Sequence, residues 1–161
     1  MPTLFCLVIL FLIWFTYERK KNDTDYSKSK AFWDREQKAS YVPRASMDDI
    51  EFITIPEDAI PASRPEFSEE LRDAINELRS LSSQQICDLS EYSNTDLKLK
   101  YGTGNFMDLS KADNNYTRLV QWSGKLLTRL DEEGYLNEAA SYMEFLRQNN
   151  ITSRLLEKYL N

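Results

Sequence analysis

LSKADNNYTRLVQWSGKLLTRLDEE, residues 109–133, carries the strongest helical pattern of the chain. Tyr116, Leu119, Val120, Ser123, Leu126, Leu127 and Leu130 recur at the i, i+3, i+4, i+7 spacing that gathers side chains on one face of an α-helix. Gly134 stops the pattern. YLNEAASYMEFLRQ, residues 135–148, then resumes it with Leu136, Ala139, Ala140, Met143 and Leu146 turned inward. Two helices separated by one glycine-centred turn run antiparallel, and the small Ala139-Ala140 pair permits close approach. Gly124 weakens the first helix by roughly 1 kcal/mol relative to alanine, which argues against an uninterrupted rod.

Outward from this pair the same period persists. Asn149-Asn150 breaks the chain, and Thr152 or Ser153 restarts a short helix with Leu155, Leu156 and Tyr159 on one side. Upstream, Ser68 has the position of an N-cap, Glu69 and Glu70 complement the helix dipole, and Leu71, Ala74, Ile75, Leu78 and Leu81 form a stripe ending near Ser82-Ser83. NTDLKLKYG, residues 94–102, reads as a compact helix capped by Asn94 or Thr95 and terminated by Gly102. Gly102-Thr103-Gly104-Asn105 lacks the lysine and the preceding strand of a phosphate-binding loop and reads as a plain connection.

Pro43, Pro56, Pro61 and Pro65 punctuate the preceding stretch, and no proline follows. Between them Ile50-Glu51-Phe52-Ile53-Thr54-Ile55 favours extended backbone, with Ile50 and Phe52 on one side and Ile53 and Ile55 near the other. A single strand forms no sheet, so this segment is expected as an arm packed on the helices. Residues 22–38 are dense in charge and read as a solvated stalk, with Ala31, Phe32, Arg35 and Ala39 spaced for an amphipathic turn.

The N-terminal run TLFCLVILFLIWFTY, residues 3–17, carries no charge. As a helix from Met1 to Tyr17 it rises about 25 Å, the short end of a bilayer span. Trp14 and Tyr17 then fall at an interface, with Arg19, Lys20 and Lys21 as the basic stop. No basic residue precedes the run and no small-residue cleavage site ends it, which disfavours a signal peptide. The lysines and arginine after the run predict a cytoplasmic body in a single-pass protein of the cell membrane.

The chain has 161 residues, no histidine and a net charge of −6. The absence of imidazole removes histidine-based triads, dyads and zinc sites from a chain acting alone. Residues 18–40 hold seven basic against five acidic residues, and the rest thirteen against twenty-one. So acidic a body repels phosphate backbones and predicts no nucleic-acid partner. Asp48-Asp49, Glu69-Glu70 and Asp131-Glu132-Glu133 are accounted for by linker, helix start and helix end. No ligand spacing for a metal occurs and no cofactor is expected. Cys87 stands among Ile86 and Leu89 and reads as a buried structural thiol. Asn22, Asn115 and Asn150 open glycosylation-type triplets that helix ends and caps explain better.

Leu126, Leu130, Gly134, Leu136, Ala139 and Met143 resemble a tetratricopeptide unit, without its usual initial aromatic or closing proline. One such unit cannot bury both faces, so neighbouring helices or a second copy must complete it. Over most of its length the chain also resembles a family of small membrane-anchored proteins of Firmicutes, clostridia-like bacteria. The apolar N-terminus, Phe32-Trp33-Asp34-Arg35-Glu36, the 50–56 and 94–102 stretches and Asn115-Tyr116-Thr117 carry that likeness. It implies a single-pass protein with a tetratricopeptide-like domain and no activity.

The expectation is therefore an all-α protein: a transmembrane anchor over 1–21, a stalk and extended proline-containing arm over 22–65, and a tetratricopeptide-like helical domain over 66–161. Its function is expected to be protein–protein interaction by a membrane-tethered adaptor that catalyses nothing. Tyr101, Trp122 and Tyr142 are the candidate anchors for a protein partner, and self-association is a further option. The alternative is an accessory subunit recognised through its transmembrane helix.

Overall fold

A computed structural model describes the backbone of residues 2–151, with side chains described at 7–21 and 26–151. Five helices follow in order: α1 (Pro2–Ser40), α2 (Glu69–Ser82), α3 (Asn94–Tyr101), α4 (Thr103–Glu132) and α5 (Leu136–Gln148). α4 is the central strut, packed against α2, α3 and α5, while α1 reaches the body through α3. The short helix expected over 152–160 lies outside the described residues.

α2 forms as its sequence predicts. The Ser68 hydroxyl accepts from the Leu71 N–H, and Leu71, Ala74, Ile75, Leu78 and Leu81 are buried on one face. α3 begins one residue before its expected cap. Ser93 and Asp96 close a capping box, the Ser93 side chain accepting from the Asp96 N–H and the Asp96 carboxylate accepting from the Ser93 N–H. Gly102 ends α3 at φ +82 and opens α4 directly. The 102–105 connection is therefore a one-residue corner. α4 runs unbroken through Gly124, because tertiary burial of Leu119, Val120, Ser123, Leu126 and Leu127 outweighs the propensity cost of one glycine.

α4 and α5 form the antiparallel hairpin, with Gly134 at φ +83 in the turn. The inward face of α5 is rotated from the expected one: Ala139, Tyr142, Phe145 and Leu146 are buried, whereas Leu136 and Ala140 are exposed. Aromatic rings contribute more buried area than alanine or methionine. The Tyr142 hydroxyl also meets Ser123 Oγ at 2.7 Å inside the core, which fixes the rotation.

The arm divides its side chains between two cores with the period of extended backbone. Ile55 enters the main core of α2, α4 and α5 with Ile53 packed against it, while Ile50 and Phe52 pack on the second, around Leu97, Tyr101 and Leu109. Its Ile53 N–H donates to the Ile86 carbonyl at 2.8 Å. Among the described residues no strand forms.

α1 is a single helix of 39 residues. It absorbs the 22–38 segment expected as a stalk, and only its last turns touch the body. Arg35 pairs with Asp96 at 2.5 Å, Glu36 takes the Thr95 hydroxyl at 2.6 Å and pairs with Lys98, and Ala39 is fully buried. Phe32, expected in an amphipathic turn, is exposed, as is Trp33 beside it.

The expected transmembrane anchor is corrected by the structure. Among the described residues no helix is long and apolar enough to cross a membrane. A span needs about 20 apolar residues, whereas the uncharged run of α1 from Pro2 ends at Tyr17, before Glu18-Arg19-Lys20-Lys21. The placing of Trp14 and Tyr17 at a bilayer interface, of Arg19, Lys20 and Lys21 as its stop, and of the chain as a single-pass membrane protein is withdrawn accordingly. Leu7 to Phe15 and Tyr17 project from α1 as exposed apolar side chains.

Candidate functional site

α2 and α4 run antiparallel, tied across at two points. At one, Arg118 of α4 pairs with Glu77 of α2 at 2.8 Å. At the other, the Ser68 hydroxyl at the start of α2 donates to Glu133, just past α4, at 2.5 Å, and the Ser68 N–H donates to the same carboxylate at 3.4 Å. Between these ties lies a groove of about 650 Å³ lined by residues of both helices.

Each wall of the groove follows from helical spacing. Glu70 and Asp73 stand three residues apart on α2; Trp122, Lys125 and Arg129 stand three and four apart on α4. Trp122 is half-buried, and Lys125 Nζ lies 3.8 Å from its ring centroid, a close cation–π contact. Gly124, which has no side chain, leaves the α4 wall low beside the indole. Arg129 is engaged by Glu132 at 2.7 Å. Glu70 and Asp73 have neither an ion pair nor a hydrogen-bond partner for their side chains among the described residues.

The three aromatic residues expected as anchors are not brought together. Trp122 lines the groove. Tyr142 is fully buried on the far side of α4, its hydroxyl held by Ser123 and its ionisation pushed up by burial, so no partner reaches it. Tyr101 is 3 % exposed, and its hydroxyl donates to Asp49 at 3.2 Å. It borders a separate cavity of about 550 Å³ together with Tyr92, Tyr116 and Phe52. That cluster already holds a cation of the chain itself. Lys100 Nζ sits 4.9 Å from the Tyr101 ring and 5.2 Å from the Tyr92 ring and pairs with Asp49 at 2.8 Å, which raises the ammonium's affinity for its proton and holds the Asp49 carboxyl down.

Cys87 is 1 % exposed, and burial with the Asp113 and Asp88 charges nearby pushes its thiol up to about 11. Partial burial, with Asp88 and then Asp113 nearby, raises Tyr116 to about 12. Asn115 is buried, with its amide donating to the Gln85 carbonyl at 3.0 Å. Among the described residues no group of three or more Cys, Asp or Glu side chains is arranged to hold a metal ion.

The sequence reading singled out Trp122 but not the residue pairs that close the groove. Glu77–Arg118 and Ser68–Glu133 close it across 41 and 65 residues of chain, and no local pattern announces such pairs. No family model, no curated protein and no solved structure matches this chain.

Proposed function

We propose that this protein is a helical interaction module that catalyses nothing and binds a segment of a partner protein in the α2–α4 groove. One observation carries the reading: a half-buried tryptophan lines a groove of about 650 Å³ whose opposite wall presents two carboxylates without a partner among the described residues. Tryptophan is the residue type most enriched where binding energy concentrates, and a concave, partly apolar setting is where it acts. The rest of the module serves as a rigid frame, because the helices that build the groove are the two longest of the compact body and share its main core. A chain without histidine lacks the commonest general base, which favours binding over turnover.

A photo-crosslinking residue in place of Gln121, on the lip of the groove, tests this in cells expressing the full chain. Discrete adducts that disappear with Trp122→Ala support the groove. Adducts unchanged by that substitution, or matched by a crosslinker at exposed Met107, refute it.

A further inference from the structure

The charges around the groove state which partner it suits. Glu69, Asp73 and Glu77 follow at i, i+4 along α2, with Glu70 beside them, and like charges at that spacing repel. Glu77 is neutralised by Arg118. Glu70 and Asp73, on the wall facing Trp122, are met by no cation among the described residues. Of the two cations on the opposite wall, Arg129 is taken by Glu132 and Lys125 lies over the indole. The groove thus offers a negative rim, an aromatic face already used by a cation, and a low wall at Gly124.

Resting on the groove reading above, we propose that the occupant is a cationic amphipathic helix of a partner protein. One arginine or lysine of this helix meets Glu70 and Asp73, while a neighbouring apolar side chain settles beside Trp122 over Gly124. A helix supplies both groups on one face at i, i+3 or i, i+4 spacing, matching the three-residue step of Glu70 and Asp73. Charge complementarity excludes the acidic counterpart: an anionic helix would face two uncompensated carboxylates in a chain whose residues beyond 40 hold thirteen basic against twenty-one acidic residues.

Three capped, fluorescein-labelled twelve-residue helices test the proposal against the full chain at 0.1 M salt. They share one leucine stripe and carry arginine, glutamine or glutamate at the flanking positions. The arginine peptide is expected to bind about five-fold more tightly than the glutamine one, the size of two exposed ion pairs, and the glutamate peptide more weakly than either. Glu70→Gln with Asp73→Asn, both at exposed positions, should bring the arginine-to-glutamine ratio to about one and leave the glutamine peptide's affinity unchanged. Equal binding of all three peptides, abolished by Trp122→Ala, overturns the cationic partner and leaves the groove standing. An arginine preference that survives the double substitution also overturns it, since the charge then acts elsewhere. Binding by none of the peptides, or binding indifferent to Trp122→Ala, overturns this inference together with the groove reading.

Discussion

Replacing each of three glycines by alanine gives three different outcomes, and the differences follow from their surroundings. At Gly102, φ is +82 and ψ 155, backbone open essentially to glycine alone. An added Cβ would lie 2.0 Å from the Pro43 carbonyl oxygen, 2.6 Å from its carbon and 2.9 Å from Arg44 Cα. All three are backbone atoms, so relief requires moving the 43–44 peptide by more than 1 Å. That movement strains the Ala45 N–H to Tyr101 carbonyl bond of 3.0 Å and the Thr103 N–H to Val42 carbonyl bond of 3.2 Å. Backbone strain of about 1–3 kcal/mol and two hydrogen bonds of about 1 kcal/mol each put Gly102→Ala at about 3–5 kcal/mol of destabilisation. Gly134 shares the positive φ but has nothing within 4 Å of its Cβ position, so only strain remains, about 1 kcal/mol. Gly104, in the first turn of α4, would place its Cβ in ordinary contact with Arg44 Cβ at 3.5 Å. Alanine there gains helix propensity and stabilises by about 0.5–1 kcal/mol. Urea unfolding followed by circular dichroism at 222 nm reads all three, the Gly102 variant shifting its midpoint down by roughly 2 M. A Gly102→Ala midpoint no lower than that of Gly134→Ala would refute the reasoning.

Other consequences are equally specific. Lys98 and then Thr95 hold the Glu36 carboxyl below its ordinary value, and Ser93 does the same for Asp96. A depressed folded value means stability present above the unfolded value of about 4 and lost as pH falls through the folded one, so the α1–α3 seam should loosen below pH 4. Amide exchange at residues 94–98 should then rise before that of α2, and the reverse order would contradict the assignment. In a Cys6→Ser background, Cys87 should resist a thiol reagent at pH 8 and react fully in urea, because burial keeps it protonated until about pH 11. Rapid labelling of the folded protein would show that its enclosure is misread. Tyr142→Phe should cost about 1–2 kcal/mol by stranding the buried Ser123 hydroxyl, and Ser123→Ala added to it should recover most of that loss. Strict additivity of the two would deny the bond.

What was legible in the sequence is what local chemistry controls. Ser68 with its two glutamates set the start of α2, Gly134 the α4–α5 turn, and the alternation of Ile50, Phe52, Ile53 and Ile55 their division between two cores. The Ser93-x-x-Asp96 box was equally local, and its signature was readable where Asn94 was preferred. The early start of α4 was not, because Gly102 adopts its backbone only where Pro43 and Asn105 fold back around it. Nor was the face of α5, since Tyr142 turns inward for a hydroxyl partner nineteen residues away. The apolar N-terminal run was overread: its composition suggested a span, but within α1 the described apolar stretch gives way to charge too soon. Of the three expected anchors only Trp122 borders the groove, because helical period alone cannot tell a half-buried aromatic from a core one.

The proposed module works by docking partners on Trp122 between α2 and α4. The most direct measurement is the ¹H–¹⁵N spectrum of the uniformly labelled full chain, whose three tryptophans, Trp14, Trp33 and Trp122, give three indole signals assignable by single substitutions. On titration with the arginine-flanked helix, the Trp122 indole signal should shift saturably while that of Trp33, exposed on α1, stays in place. A Trp122 signal that remains still while the peptide binds would contradict the account.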